Sequence, residues 1–333
     1  SHAYEFIHTK NPEEVFKMKF DVIIGNPPYQ MSSNKEGIQA TPLYHKFVEQ
    51  AKKLNPRYLS MIIPARWYAG GMGLESFRDQ MLKDRRIRVI HDFPKSRDCF
   101  PGVDIAGGVC YFLWDRDNKG DCEVIFQVGK EISKKVRALD EFNIFIRDNL
   151  GIDIIHKTLA LKEESMANRV HPISPFGLPT SARGAMTPFS KSITLISSAG
   201  KSYIKKSEVK KNTNIVGKYK VSVGQLNPDR GGVNNAADGK MNVITKINIY
   251  KPEEVITATY LLLDYFDTLQ EAKNYTTYMS TKFARFLLSL TLSSMHITKS
   301  NFIFVPVQRY NKSWTDKELY SKYSLTKEEI DYI

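Results

Sequence analysis

Near its start the chain carries a short apolar run, Phe20-Asp21-Val22-Ile23-Ile24-Gly25, that stops abruptly at Asn26-Pro27-Pro28-Tyr29. Two consecutive prolines cannot donate to a sheet ladder and hold φ near −65°, so the run must end as a strand and turn there. An unbroken apolar run of this length, rather than an alternating one, is the pattern of a parallel strand buried on both faces. The tetrapeptide therefore belongs at the C-terminal end of a strand in an α/β domain, where such folds place their sites.

The next segments keep that rhythm. Thr41-Pro42 reads as an N-cap with a first-turn proline, followed by Leu43, Tyr44, Phe47, Val48, Ala51 and Leu54 at helical spacing. Tyr58–Ile63 before Pro64 reads as a second strand, Leu74, Phe77, Met81 and Leu82 as a second helix, and Ile87–Ile90 as a third strand. Val109–Trp114 and Cys122–Phe126 flank Asp117-Asn118-Lys119-Gly120, which predicts a hairpin closing the far edge of the sheet. From 128 to 166 the pattern predicts mainly helix, with Ile152, Ile155, His156 and Leu159 on one face. Residues 168–192 and 224–240 carry loop and turn composition, and Thr257–Asp267 and Tyr278–Leu292 read as helices. The domain boundary is expected within 126–150.

Each position of Asn26-Pro27-Pro28-Tyr29 suits one chemical task, the alkylation of an exocyclic ring amine. Such an amine is a weak nucleophile because its lone pair is delocalised into the ring. Two acceptors, the Asn26 side-chain oxygen and the Pro27 carbonyl, can bind both amine hydrogens and return the lone pair to nitrogen. Tyr29 adds a ring on which an extruded base can stack, and Pro28 keeps the turn open. A base inside a duplex must be flipped out first, at a few kcal/mol, part of which stacking returns.

The same residues resemble a known family. Lys19–Gln30, Tyr44-His45-Lys46-Phe47, Ile62–Trp67, Gly107–Phe112 and Trp314–Tyr320 look like the Eco57I-like adenine-specific methylases of restriction-modification systems. The resemblance implies the C-terminal portion of a Rossmann-like methyltransferase sheet plus a mixed α+β target-recognition domain, S-adenosylmethionine as methyl donor and double-stranded DNA as substrate. It also implies a second base-stacking aromatic near the end of the antiparallel strand. Phe112 matches best, with Tyr111 and Trp114 close by, and its reading as an ordinary core aromatic stays open. On this likeness residues 1–126 complete the catalytic sheet, 127–150 connect, and 151–333 recognise the target. A restriction endonuclease domain or subunit is a further expected partner.

The family's glycine-rich donor loop should lie upstream of the tetrapeptide, where only 25 residues stand. Gly70-Gly71-Met72-Gly73 and Gly107-Gly108 come after it and do not open a helix in the required way. The expectation is a chain that begins just before the family's fourth strand, leaves that strand as an exposed apolar edge, and is inactive alone.

Charge points to the same partner. Lys and Arg outnumber Asp and Glu 18 to 16 over residues 1–124 and 30 to 20 over 125–333, so the excess lies in the second part. It peaks where Lys201, Lys205, Lys206, Lys210, Lys211, Lys218 and Lys220 face a single acid, Glu208, interleaved with apolar residues as in a ribbon with a basic outer face. With Arg230 these are the candidate phosphate contacts, which give affinity and salt dependence without sequence choice. A merely solvated surface remains the alternative. Gln225, Arg230, Asn234 and Asn235 are of types that read base edges.

Other classes are disfavoured. Cys99, Cys110 and Cys122 form no C-x-x-C pair, and the seven histidines have no metal-ligand spacing, so no metal is expected. Ala199-Gly200-Lys201-Ser202 resembles the tail of a phosphate-binding loop, but Leu195 stands where that motif needs glycine. There is no apolar stretch of about 18 residues and no signal-peptide layout, which makes a cytoplasmic location and no membrane partner the default. Two alternatives to DNA methylation stay in view: methylation of RNA or of a protein glutamine by the same motif, and a DNA-binding specificity module that has lost catalysis.

Overall fold

The computed structural model describes residues 2–31, 41–68, 73–226, 242–292 and 296–333. It divides into two compact units, Ser1–Asn149 and Leu150–Ile333.

The first unit opens with two short helices, α1 (His2–His8) and α2 (Pro12–Phe16), and is built around a six-stranded sheet. In chain order its elements are β1 (Val22–Gly25), α3 (Tyr44–Lys53), β2 (Tyr58–Pro64), α4 (Glu75–Lys83), β3 (Ile87–Phe93), β4 (Val109–Asp115), β5 (Cys122–Val128) and β6 (Glu131–Arg137). Across the sheet the order is β1-β2-β4-β3-β5-β6. β1 runs parallel to β2 and β3 parallel to β5, while β4 is antiparallel to both its neighbours, and β6 is antiparallel to β5. This is the α/β class expected, and the first three strands and both intervening helices fall where periodicity put them.

Three expectations fail here. β4 and β5 are not a hairpin, because β3 lies between them and the 116–121 connection passes over it. Glu131–Arg137 is a strand rather than helix, turning back on β5 through Gly129 at φ +59°. Thr41 and Pro42 do not cap α3; Leu43 holds the N-cap position, and Pro42 instead pairs with Gln30.

One face of the sheet carries the core. Tyr44, Val48 and Ala51 of α3 and Phe77, Met81 and Leu82 of α4 pack on Leu59, Met61, Ile63, Ile90, Phe112, Trp114 and Val124. Asp84, just after α4, ties the layers together by accepting from Lys52 at 3.0 Å, Arg86 at 2.7 Å and the Trp114 indole at 2.9 Å. Burial alone would raise its pKa, but these donors outweigh that and hold the carboxyl well below its usual range. On the opposite face Val22, Ile24, Tyr58, Tyr111, Ile132 and Val136 are exposed. β1 is an edge strand with no partner on its outer side among the described residues, and Ile24 is 81% exposed.

The second unit starts with α5 (Asn149–Ala160) and holds two three-stranded sheets. One has the order β11-β7-β8, from β7 (Ser192–Ser197), β8 (Gly200–Lys205) and β11 (Glu254–Ile256). The other has the order β10-β9-β12, from β9 (Tyr219–Gly224), β10 (Asn248–Tyr250) and β12 (Tyr260–Phe266). Thr257–Asp267, expected to be helical, thus contains a strand, with a bulge between Leu262 and Asp264. Helices α6 (Leu269–Met279) and α7 (Lys282–Ser289) replace the single helix expected over Tyr278–Leu292, and α8 (Asp316–Lys322) and α9 (Lys327–Tyr332) end the chain. Each of these four is opened by a threonine whose side chain accepts from the helix's third N–H.

Candidate active site

The tetrapeptide lies where the sequence put it, directly after β1 at the C-terminal end of the parallel strands. The following residues hold it from one side: the Leu43 N–H donates to the Tyr29 carbonyl at 3.0 Å and the Met31 N–H to the Thr41 carbonyl at 3.1 Å. Pro27 is buried and anchors the turn, while Asn26 and Pro28 are exposed. The exposed Asn26 side chain has no hydrogen-bond partner among the described residues. Tyr29 is half-buried, its hydroxyl fully so and without a partner, and burial pushes its pKa up to about 12. A phenol is neutral near pH 7 in any case, which suits an uncharged stacking surface.

Tyr29 lines a cleft of about 430 Å³ with Gln30, Pro42, Tyr44, Pro64, Arg66 and the 104–106 segment, a volume within the usual range for small-ligand sites. Arg66 and the 104–106 segment were not singled out from the sequence, although both fall within or next to the stretches that carry the family resemblance. The signal that marks the second is Gly107-Gly108, where two positive φ angles, +83° and +79°, turn the chain into β4.

Phe112, the candidate second stacking residue, is in the wrong place for that role. It is fully buried in the middle of the sheet, paired with Met61 on one side and Ile90 on the other, and packs in the core. Trp114 is buried on the same face. Tyr111 projects from the opposite face, 37% exposed, its hydroxyl 2.7 Å from His91 Nδ1.

The decisive comparison is with families. Residues 1–100 match the Eco57I restriction-modification methylase family model. The resemblance read from the tetrapeptide and its flanks is borne out on that stretch, which contains the whole turn and most of the cleft wall. Over 167 residues the chain is 44% identical to an uncharacterized adenine-specific methylase of Mycoplasma pneumoniae, a match covering 47% of this chain and 38% of that protein. The chain thus spans well under half the length of this relative. Among solved structures, the type IIL restriction-modification enzyme MmeI, determined in complex with DNA, aligns over 90% of this chain and 48% of its own at 8% identity and TM-score 0.45. The type IIG restriction endonuclease BpuSI aligns over 91% and 52% at 10% identity and TM-score 0.38. Superpositions this loose assign no residue.

In the second unit the lysines are not equivalent. Lys201, Lys205, Lys206, Lys210 and Lys211 are exposed on β8 and the loop after it. Lys206 pairs with Glu253 at 3.2 Å, Lys218 with Asp267, and Lys201 sits over the Tyr203 ring. Lys220 breaks the expected outward face: it is 1% exposed and donates to the Val216 carbonyl at 2.7 Å. A buried ammonium held that way cannot reach a phosphate. Gln225 is described and half-buried; Arg230, Asn234 and Asn235 lie outside the described residues. Among the described residues no group of His, Cys, Asp or Glu is arranged to hold a metal, and no helix is long and apolar enough to cross a membrane.

Proposed function

We propose that this chain supplies the base-binding half of a methyltransferase that moves a methyl group from S-adenosylmethionine to the N6 amine of an adenine flipped out of a specific duplex DNA site, within a restriction-modification system. The observation that carries the reading is the Asn26 side chain, exposed at the end of β1 and without a partner among the described residues, three residues from a half-buried Tyr29 that lines an open cleft. In this arrangement Asn26 and the Pro27 carbonyl accept the two N6 hydrogens and Tyr29 stacks on the ring. The exposed lysines of the second unit hold the duplex through its phosphates, and residues 150–333 act as the target-recognition part.

In this reading Gly107 and Gly108 are not the cradle of the methyl donor. Gly107 and Gly108 are committed to the approach to β4, where a Cβ on Gly108 would stand 2.1 Å from the Phe93 carbonyl oxygen, and they open no helix. In this reading the donor, whose electrophilic methyl the reaction needs, is held by polypeptide outside these 333 residues, which pairs with the open edge of β1. The chain alone is then expected to bind duplex weakly and to show no calorimetric binding of S-adenosylmethionine.

The test is transfer of labelled methyl groups to duplex DNA by this chain joined to the polypeptide encoded upstream, followed by digestion to nucleosides. Label in N6-methyladenine supports the reading. Label only in RNA or in protein glutamine, or tight donor binding by the 333 residues alone, would overturn it.

A further inference from the structure

The cleft beside Tyr29 is completed by a loop, residues 103–108, that has no regular structure of its own but is fixed at both shoulders. At one, Ser96 is buried and bonds twice, its Oγ accepting from the Ile105 N–H at 2.8 Å and donating to the Val103 carbonyl at 2.9 Å. At the other stands Arg147. Its guanidinium forks onto Asp92, with Nε and Nη2 at 2.6 and 2.7 Å from the two carboxylate oxygens, and its Nη1 donates to the Gly107 carbonyl at 2.7 Å. Asp92 is fully buried and also accepts from the Tyr68 hydroxyl at 3.0 Å, while the guanidinium lies 5.2 Å from the Tyr68 ring centre.

A pair this deep is costly to desolvate, and apolar packing of the same shape often serves stability as well or better. What an apolar pair cannot supply is the third bond, to the loop. The backbone leaves little slack there: the Gly108 N–H reaches the Ile105 carbonyl at 2.9 Å, and the Ala65 N–H reaches the Gly108 carbonyl at 3.0 Å, next to cleft residue Arg66. Asp104, Ile105 and Ala106, the loop's contribution to the cleft, are therefore positioned from Arg147. With Phe112 withdrawn into the core, Ile105 is the larger of the two apolar side chains, the other being Ala106, that this loop brings to the cleft beside Tyr29.

We propose that Arg147 is a positioning residue for the cleft, setting through Asp92 and the Gly107 carbonyl the loop that brings Ile105 against the extruded base beside Tyr29. This rests on the base-binding reading above. An aliphatic surface in that position presses on the base by dispersion and needs a fixed loop, since it offers no directional bond to hold the base itself.

The test combines hydrogen exchange on the full chain with kinetics on a preparation that methylates DNA. Arg147→Lys keeps the charge and loses the fork. It should speed exchange of the 103–108 amides at least about tenfold while β2 and β4 amides stay unchanged, and lower kcat about tenfold or more with the KM for DNA within about twofold, as for a misplaced reacting group. Ile105→Ala added to Arg147→Lys should cost no more than the worse single change, because both act through one contact. Ser96→Ala, a small change at the other shoulder, should give the same signature and carries the test if Arg147→Lys does not fold. Unchanged loop exchange, an unchanged kcat, or losses that multiply in the double variant would overturn the proposal. If Asn26→Ala is harmless, it is the base-binding reading that fails, and the exchange results still decide whether Arg147 fixes the loop.

Discussion

The Tyr29 carbonyl accepts the Leu43 N–H at 3.0 Å, so the last residue of the tetrapeptide is tied to the residue that begins α3. Gln30 is likewise bridged to Pro42, and both residues line the cleft. A strand end, a Pro-Pro turn and a helix start thus form one rigid frame. The prolines beside Asn26 offer no N–H to engage its side chain, which has no partner among the described residues.

Phe112 belongs to that frame as packing. Replacing it by Ala removes a fully buried ring from the centre of the six-stranded sheet and should cost about 3–5 kcal/mol, read as a lower urea midpoint. A base-stacking residue would behave in the opposite way, leaving stability unchanged and weakening the hold on an extruded base.

What the sequence made legible, and what it hid, follows from where side chains point. The tetrapeptide was readable from its residue types, and α3, β2, α4 and β3 because each has one face in the core, as with Val48 and Ala51 or Phe77 and Met81. β6 was not: Ile132 and Val136 face outward, 54% and 65% exposed, with Lys134 between them, so no core-facing pattern exists to read. In β12 the bulge puts Leu261, Leu262 and Leu263 all inside, and the loss of alternation imitates a buried helix. α6 did carry a signal, the Thr268-x-x-Glu271 capping box, which marks a start eleven residues after Thr257, where a helix was expected to begin. For Phe112, an all-apolar strand gives no hint of which face meets the core, so its site role rested on the family resemblance alone.

The exposed lysines of the second unit should behave as phosphate contacts. Changing Lys205, Lys206, Lys210 and Lys211 to Ala should weaken binding to all duplexes alike and reduce the slope of log affinity against log salt by up to about 0.9 per lost contact. An unchanged slope would return them to the role of a solvated surface. Lys206 should contribute least, since Glu253 already neutralises part of its charge.

Lys220 should be visible in the pH dependence of stability instead. Burial pushes its pKa down to about 8, with Glu253 and Glu254 opposing the shift. Between that value and the ordinary lysine range the unfolded chain binds more protons than the folded one, so the folded state gains stability as pH rises through this window. Relative to a Lys220→Met variant, the natural chain should gain about 1–3 kcal/mol from pH about 7 to about 10. A pH-independent difference would mean that the ammonium is solvated.

The account stands most directly on Asn26. In a preparation of this chain that methylates DNA, Asn26→Ala removes the acceptor proposed for the reacting amine, a loss worth about 2.7–4 kcal/mol at comparable sites. The methylation rate measured in a single turnover should fall at least about 100-fold while duplex affinity stays within about threefold. Near-normal turnover by that variant, or a loss explained entirely by weaker DNA binding, would contradict the assignment of this turn as the place where the amine is activated.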